Sequence, residues 1–187
     1  MIRDLILKNR SYRRFHQDVA IEEGTLRELV DLARLSMSAS NRQPLKYAIS
    51  ATPEKNAAIF PLVAWAGYLK DWDGPEEGER PTGYIVMLGD TELHNSFDCD
   101  CGIAAENIML GAVEKGLGGC MMGSVQREKL RELLGIPERY QILLVLALGK
   151  PKEVVVLERA EGDIKYYRDA DRVHHVPKRP LDEVLLD

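Results

Sequence analysis

Arg10-Ser11-Tyr12-Arg13-Arg14-Phe15 sets three guanidinium groups around a hydroxyl, and some thirty residues later the chain reads Ser38-Ala39-Ser40-Asn41-Arg42-Gln43-Pro44. Arginine suits bidentate capture of a phosphate, because its planar fork of donors matches the oxygen geometry. The second stretch offers hydroxyls and amides, each amide presenting both a donor and an acceptor that can read the edge of a heteroaromatic ring. Pro44 stops it before a strand. Together the two stretches imply a site for a phosphorylated, planar ligand.

Outward from these stretches, the periodicity predicts a mixture of helices and strands. Ile2, Leu5 and Ile6 place a short amphipathic helix over residues 2–9. Thr25 and Glu28 form a capping-box pattern ahead of Leu26, Leu29, Val30 and Ala33, in a helix running to about Leu35. A strand is expected over 46–51, then a helix over 53–66 that Pro61 must kink or interrupt. Residues 73–81 read as a solvated, mobile loop, and 84–88 as a buried strand. Residues 103–113 are apolar nearly all round, with small side chains that let another helix approach closely. Ser124 is the expected N-cap of a helix that turns Leu130, Leu133 and Leu134 inward and ends at Gly135-Ile136-Pro137. Residues 142–148 form the strongest strand pattern. The charged segment from Glu153 onward has few core residues and reads as an extended arm that needs another surface, often a partner subunit, to pack on. The irregular order of elements favours an α+β fold, a sheet flanked by helices, in one domain over 1–187.

Composition narrows the function. With 187 residues, 45% hydrophobic and 29% charged, the chain can build a real core. A net charge of −5 argues against a nucleic-acid binder, which needs a basic stripe. Nothing in the sequence is apolar over the length of a bilayer, and the N-terminus lacks a signal-peptide pattern, so a cytoplasmic protein without membrane contact is expected. Cys99, Cys101 and Cys120 are too few for a disulfide framework, and no set of soft ligands accompanies Cys99-Asp100-Cys101, so no metal is expected. His174 and His175, on the charged arm, are expected to face solvent without a role.

Further landmarks follow in order: a helix spanning residues 100–115, Gly116-Leu117-Gly118-Gly119-Cys120-Met121-Met122-Gly123-Ser124, Leu148-Gly149-Lys150-Pro151, and Pro177-Lys178-Arg179-Pro180-Leu181. Together with the two opening stretches, this series resembles the FMN-dependent nitroreductase family through most of the chain. The resemblance implies a central, mostly antiparallel sheet flanked by helices, in an intertwined homodimer with an extended C-terminal arm from about residue 153. It assigns Arg10, Ser11 and Arg13 to the phosphate and ribityl end of FMN. The loop with Ser38, Ser40, Asn41 and Gln43 would reach the flavin of the other subunit. Met121, Met122, Gly123 and Ser124 would lie along the isoalloxazine ring, and Lys178 or Arg179 would meet the phosphate. Trp65, Tyr68 and Trp72 would shape the space where substrate stacks, a plain aromatic packing face being the alternative. The chain departs from the family pattern at Asn9, often basic, and at Met37, commonly proline.

The implied activity is a ping-pong oxidoreductase. NAD(P)H passes hydride to the flavin N5, and a nitroaromatic, quinone or similar small-molecule acceptor then takes the electrons. The flavin carries the chemistry, and no catalytic side chain is needed or evident. The alternatives are a specialised flavin enzyme of the same superfamily, such as a dehalogenase or dehydrogenase, and a non-catalytic FMN-binding module.

Overall fold

Twelve residues of one strand organise the molecule. In the computed structural model, which describes residues 1–186, β5 (Tyr140–Pro151) pairs antiparallel along one edge with β3 (Gly83–Asp90), which pairs in turn with β2 (Leu45–Ser50). Its other edge takes β4 (Gly118–Met122), and the short β1 (Phe15–His16) pairs with its last two residues, Lys150 and Pro151, both antiparallel. Every residue of β3 is buried, because both faces of the sheet are covered. Tyr84, Val86 and Leu88 join Val145 and Ala147 in a core beneath α3 (Pro53–Ile59) and α5 (Arg127–Leu134). Alternating with them, Ile85, Met87, Leu146 and Leu148 face α2 (Glu23–Arg34) and α4 (Asp98–Glu114). The period of two therefore builds two cores from one sheet. This is the expected α+β architecture.

Local chemistry moves several expected boundaries. α2 starts at Glu23 with Glu22 as an N-cap that offers no side-chain bond, so Thr25 lies inside the helix and the capping box is not formed. Ile21, just ahead, is buried and fixes that earlier start. The helix begun at Pro53 ends at Ile59, and a single 3₁₀ turn, Phe60–Leu62, holds Pro61. Ser124 is not an N-cap: its carbonyl accepts from Ala64, Val125 bridges Val63, and α5 begins only after Gln126. Leu130 points inward as expected, Leu133 is exposed, and Gly135 closes the helix in the left-handed region at φ 61°. On α4 the apolar face is incomplete, since Gly102 and Glu106 are exposed. Gly111 does admit a neighbour, because a Cβ there would lie 2.3 Å from Leu32 of α2.

The loop at 73–81, solvated at 76–78 as expected, is tied to the body of the molecule near its end. Glu79 is buried and accepts from Arg14 Nη2 at 2.6 Å, with Lys152 Nζ at 3.0 Å. Gln17 Oε1 accepts from the Gly78 and Arg80 backbones.

The extended arm is also corrected. After Glu153 the chain forms β6 (Val155–Arg159), β7 (Tyr167–Arg168) and β8 (His174–Lys178), a three-stranded sheet in the order β6-β8-β7 with β6 and β8 parallel. This second sheet folds back on its own chain, because Glu153 and His174 are buried against Arg13. His174 is thus a buried side chain, contrary to its expected exposure.

Two outcomes test this packing. A Cβ at Gly119 would sit 2.4 Å from the Ala147 carbonyl oxygen on β5, which is backbone and cannot swing aside. Gly119→Ala should therefore cost about 1–3 kcal/mol, and an unchanged urea midpoint would contradict the close approach. Hydrogen bonding from Arg14 holds the Glu79 carboxyl down at about 2 from an ordinary 4.5. As pH falls below 4.5 the unfolded chain gains a proton that folded Glu79 refuses. The pair's stabilisation is therefore complete above that pH and is lost as pH falls toward 2. Acid titration of Glu79→Gln should show a shallower loss across this window; a slope equal to the parent's would disprove the assignment.

Candidate cofactor site

Past Lys8, where α1 (Ile2–Lys8) ends, Asn9 turns extended and the next residues run beside β4. The Tyr12 N–H donates to the Gly119 carbonyl at 2.9 Å, and Ser11 bridges Gly119. Gly118 is flat enough for the Tyr12 ring, which would lie 2.5 Å from a Cβ there. This alignment sends alternate side chains to different places. Phe15 enters the core, Arg14 crosses to Glu79, and Arg10, Ser11 and Arg13 line a cavity of about 710 Å³.

The opposite wall comes from the second sheet. Strand alternation on β8 puts His174, Val176 and Lys178 on the cavity side, joined by Arg179, Ile164 and Tyr166. α4 adds Glu106 and Met109, and β4 adds Met121. Among the described residues, four cationic side chains thus surround one carboxylate, Glu106, which already accepts from Asn9 Nδ2 at 2.9 Å. Three nitrogens of this cavity's lining residues, Arg10 Nε, Arg13 Nε and His174 Nδ1, are buried with no hydrogen-bond partner among the described residues. Unmet buried donors are costly, and here they define a place for a ligand rich in acceptor oxygens.

Polar contacts hold the two walls together. Glu153, its side chain wholly out of water, accepts from the Arg13 backbone N–H and from Arg168 Nη2 at 3.1 Å. The Arg13 guanidinium lies 4.7 Å from the Tyr166 ring centroid, and its Nη1 meets His174 Nε2 at 3.1 Å. Burial, then the nearby Arg13 and Arg168 charges, push the His174 imidazole down to about 4. Its neighbour behaves oppositely. His175 lies between Asp169 and Glu158, 3.1 Å from each, and the hydrogen bond to Asp169 raises its pKa.

The other expected residues lie elsewhere in the single chain. Ser38 and Gln43 line a smaller cavity of about 190 Å³ with Asp100 and Ala104. There Asp100 accepts from Ser38 Oγ at 2.5 Å and from the Ala39 N–H at 3.0 Å. Ser40, Asn41 and Gln43 all adopt positive φ, 50–53°. With about 3.6 residues per turn, Asp100 and Ala104 occupy one side of α4 while Glu106 and Met109 occupy the other. The helix separates the two cavities. The Met122 side chain is buried in the core, and a Cβ on Gly123 would meet nothing closer than Leu144 at 3.9 Å. Trp65 packs in the core, Tyr68 packs at a tilt against Tyr166 with ring centroids 4.8 Å apart, and Trp72 lies under Arg168 at 4.5 Å. None of these aromatics is among the residues lining the cationic cavity. Cys99 is exposed, and burial pushes the Cys101 thiol up to about 11.

Sequence reading missed Glu153, Tyr166 and His174. The alternation through Val173-His174-His175-Val176 was the available signal, since a strand there must turn the two histidines to opposite faces.

Comparison with known proteins agrees with this architecture. A protein of Archaeoglobus fulgidus, provisionally named NADH dehydrogenase/NAD(P)H nitroreductase, is 29% identical over 178 residues, covering 91% of this chain and 94% of its own. An FMN reductase (NADPH) of Bacillus subtilis (strain 168) is 26% identical, over 79% of this chain and 65% of that one. The crystal structure of a nitroreductase family protein from Streptococcus pneumoniae TIGR4 superposes with a TM-score of 0.71 at 20% identity, covering all of both chains. The model of the nitroreductase family matches residues 6–150, and the chain belongs to that family.

Proposed function

We propose that this protein is an FMN-dependent NAD(P)H oxidoreductase that reduces a small-molecule acceptor such as a nitroaromatic or a quinone. The observation that carries the reading is the convergence of three unpartnered buried donors, on Arg10, Arg13 and His174, with Lys178 and Arg179 on one cavity. Its volume of about 710 Å³ falls within the roughly 300–1,000 Å³ of sites that enclose drug-sized ligands. An anionic, oxygen-rich cofactor fits that donor set. Arg10, Ser11, Lys178 and Arg179 would hold its phosphate, and Arg13 its adjoining polar groups. Met121, exposed at the cavity wall, would lie along the ring, with Gly123 and Ser124 next to it and Met122 contributing backbone alone. When bound, FMN supplies the hydride acceptance and return. The protein's part is to orient it and to limit water, with Ile164, Tyr166 and Val176 as the less polar side of the enclosure.

The same reading implies a homodimer with shared sites. Ser38, Ser40, Asn41 and Gln43 are divided from the cationic cavity of their own chain by α4, so they can serve a flavin only in a second copy. Apolar side chains left exposed on α1 (Ile2, Ile6, Leu7), around the end of α2 (Leu32, Leu35, Met37) and near the C-terminus (Val184, Leu185, Leu186) support such an interface.

Two experiments test these claims. FMN-loaded protein should be yellow and should bleach at the flavin band when NAD(P)H is added without oxygen. Protein that takes up no FMN would overturn the reading, and bound flavin that neither pyridine nucleotide bleaches would leave only a binding module. Arg10 is half-buried and tolerates truncation better than buried Arg13. Mixing and reassembling Arg10→Ala with Asn41→Ala subunits should recover activity that neither variant has alone, because each mixed dimer regains one complete site. No recovery, in dimers verified as mixed, would place both residues in the same chain's site.

A further inference from the structure

We propose that His174 is a ligand-binding residue of the cofactor cavity, its Nδ1–H donating to an oxygen of the bound FMN while its Nε2 accepts from Arg13 and fixes that guanidinium. This rests on the FMN reading above and adds to it a residue outside the arginine motif.

The tautomer follows from the partner. Arginine has only donors, so the 3.1 Å contact between Arg13 Nη1 and His174 Nε2 requires a lone pair on Nε2. A neutral imidazole then carries its hydrogen on Nδ1. Nδ1 is the atom with no partner among the described residues, on a side chain whose residue is 1% exposed and lines the cavity. Protonation of the ring would place a third positive charge beside Arg13 and Arg168, and the pKa near 4 agrees with a neutral ring.

The ring also has little freedom to find another acceptor. The His174 backbone N–H is bonded to the Val154 carbonyl at 2.9 Å, and β8 is paired on both sides, to β6 and β7. Tyr166 packs against the imidazole with centroids 5.2 Å apart. Of the charged side chains on the same face, Lys178 and Arg179 are donors, and Glu106, the one carboxylate lining the cavity among the described residues, accepts from Asn9. No protein acceptor among the described residues is available to Nδ1–H, so a ligand oxygen entering the cavity can take that place. A held donor of this kind also sets Arg13: with Nη1 directed at His174, the unpartnered Nε is oriented by the same contact.

Two isosteric replacements separate the two ring nitrogens. Glutamine reaches the Nε2 position and can still accept from Arg13, but lacks the Nδ1 donor. Asparagine places an amide N–H near the Nδ1 position and gives up the Arg13 contact. FMN affinity, followed by quenching of flavin fluorescence, should fall about tenfold in His174→Gln and less in His174→Asn. Equal losses in the two variants, or none in His174→Gln, would overturn the proposal. Nitrogen-15 NMR of histidine-labelled wild type provides a readout that needs no variant to fold. The His174 Nδ1 should be protonated in the free protein, and its proton should shift and resist exchange with water when FMN is added. A hydrogen on Nε2, or an Nδ1–H that does not respond to bound FMN, would also overturn it. Wild type that binds no FMN by fluorescence would remove the cofactor reading itself, a result distinguishable from either of these.

Discussion

A carboxylate held entirely out of water governs how this chain closes on itself. Glu153 stands where the main sheet ends, its side chain at 0% exposure. A buried charge is tolerated only when donors surround it. The two it has come from opposite directions: the Arg13 backbone, which runs along β4, and Arg168 on β7. Satisfying Glu153 therefore requires the second sheet to return to the first. The cationic cavity is the space left between them, so its shape follows from an electrostatic requirement rather than from apolar packing alone.

One half of the proposed site stores unfavourable energy before any ligand arrives, and the other presents donors ready for one. The loop after α2 places three non-glycine residues at positive φ, conformations that cost on the order of 1–3 kcal/mol each, and Asp100 holds the loop there through Ser38 and the Ala39 N–H. The cavity opposite holds several buried donors that have no acceptor among the described residues. Such costs are recovered when a ligand supplies the missing acceptors, and groups already in position lose little further freedom on binding. A fold optimised for stability alone would remove both features.

The fold was legible where a single periodicity dominates. Residues 84–88 and 142–148 read as strands because their neighbours on both faces are apolar, and Gly135 marked its helix end by the left-handed turn it permits. The arginine stretch was legible as an anion site because guanidinium chemistry is local. What escaped depends on partners distant in sequence. Glu79 looked like one of several solvated charges until Arg14, sixty-five residues earlier, claimed it. His174 looked exposed because its composition was judged by a charged neighbourhood, whereas its burial is set by a strand pairing to Val155 and by Arg13. Ser124 carries the side chain of an N-cap, yet a bridge between Val125 and Val63 follows it and the helix starts only after Gln126. The division of the expected site into two cavities could not be seen either, since it depends on which sides of α4 face which loops.

α4 forms a wall of both cavities, with Asp100 and Ala104 on one and Glu106 and Met109 on the other. A single inserted or deleted residue between Ala104 and Glu106 would rotate one half of the helix by about 100° against the other. It would carry one set of wall residues away from its cavity and, with it, Gly111 away from Leu32. The spacing from Asp100 to Gly111 is thus a fixed length within the chain. A residue added or removed in a loop outside it leaves both walls in place, whereas one added or removed within it displaces a wall.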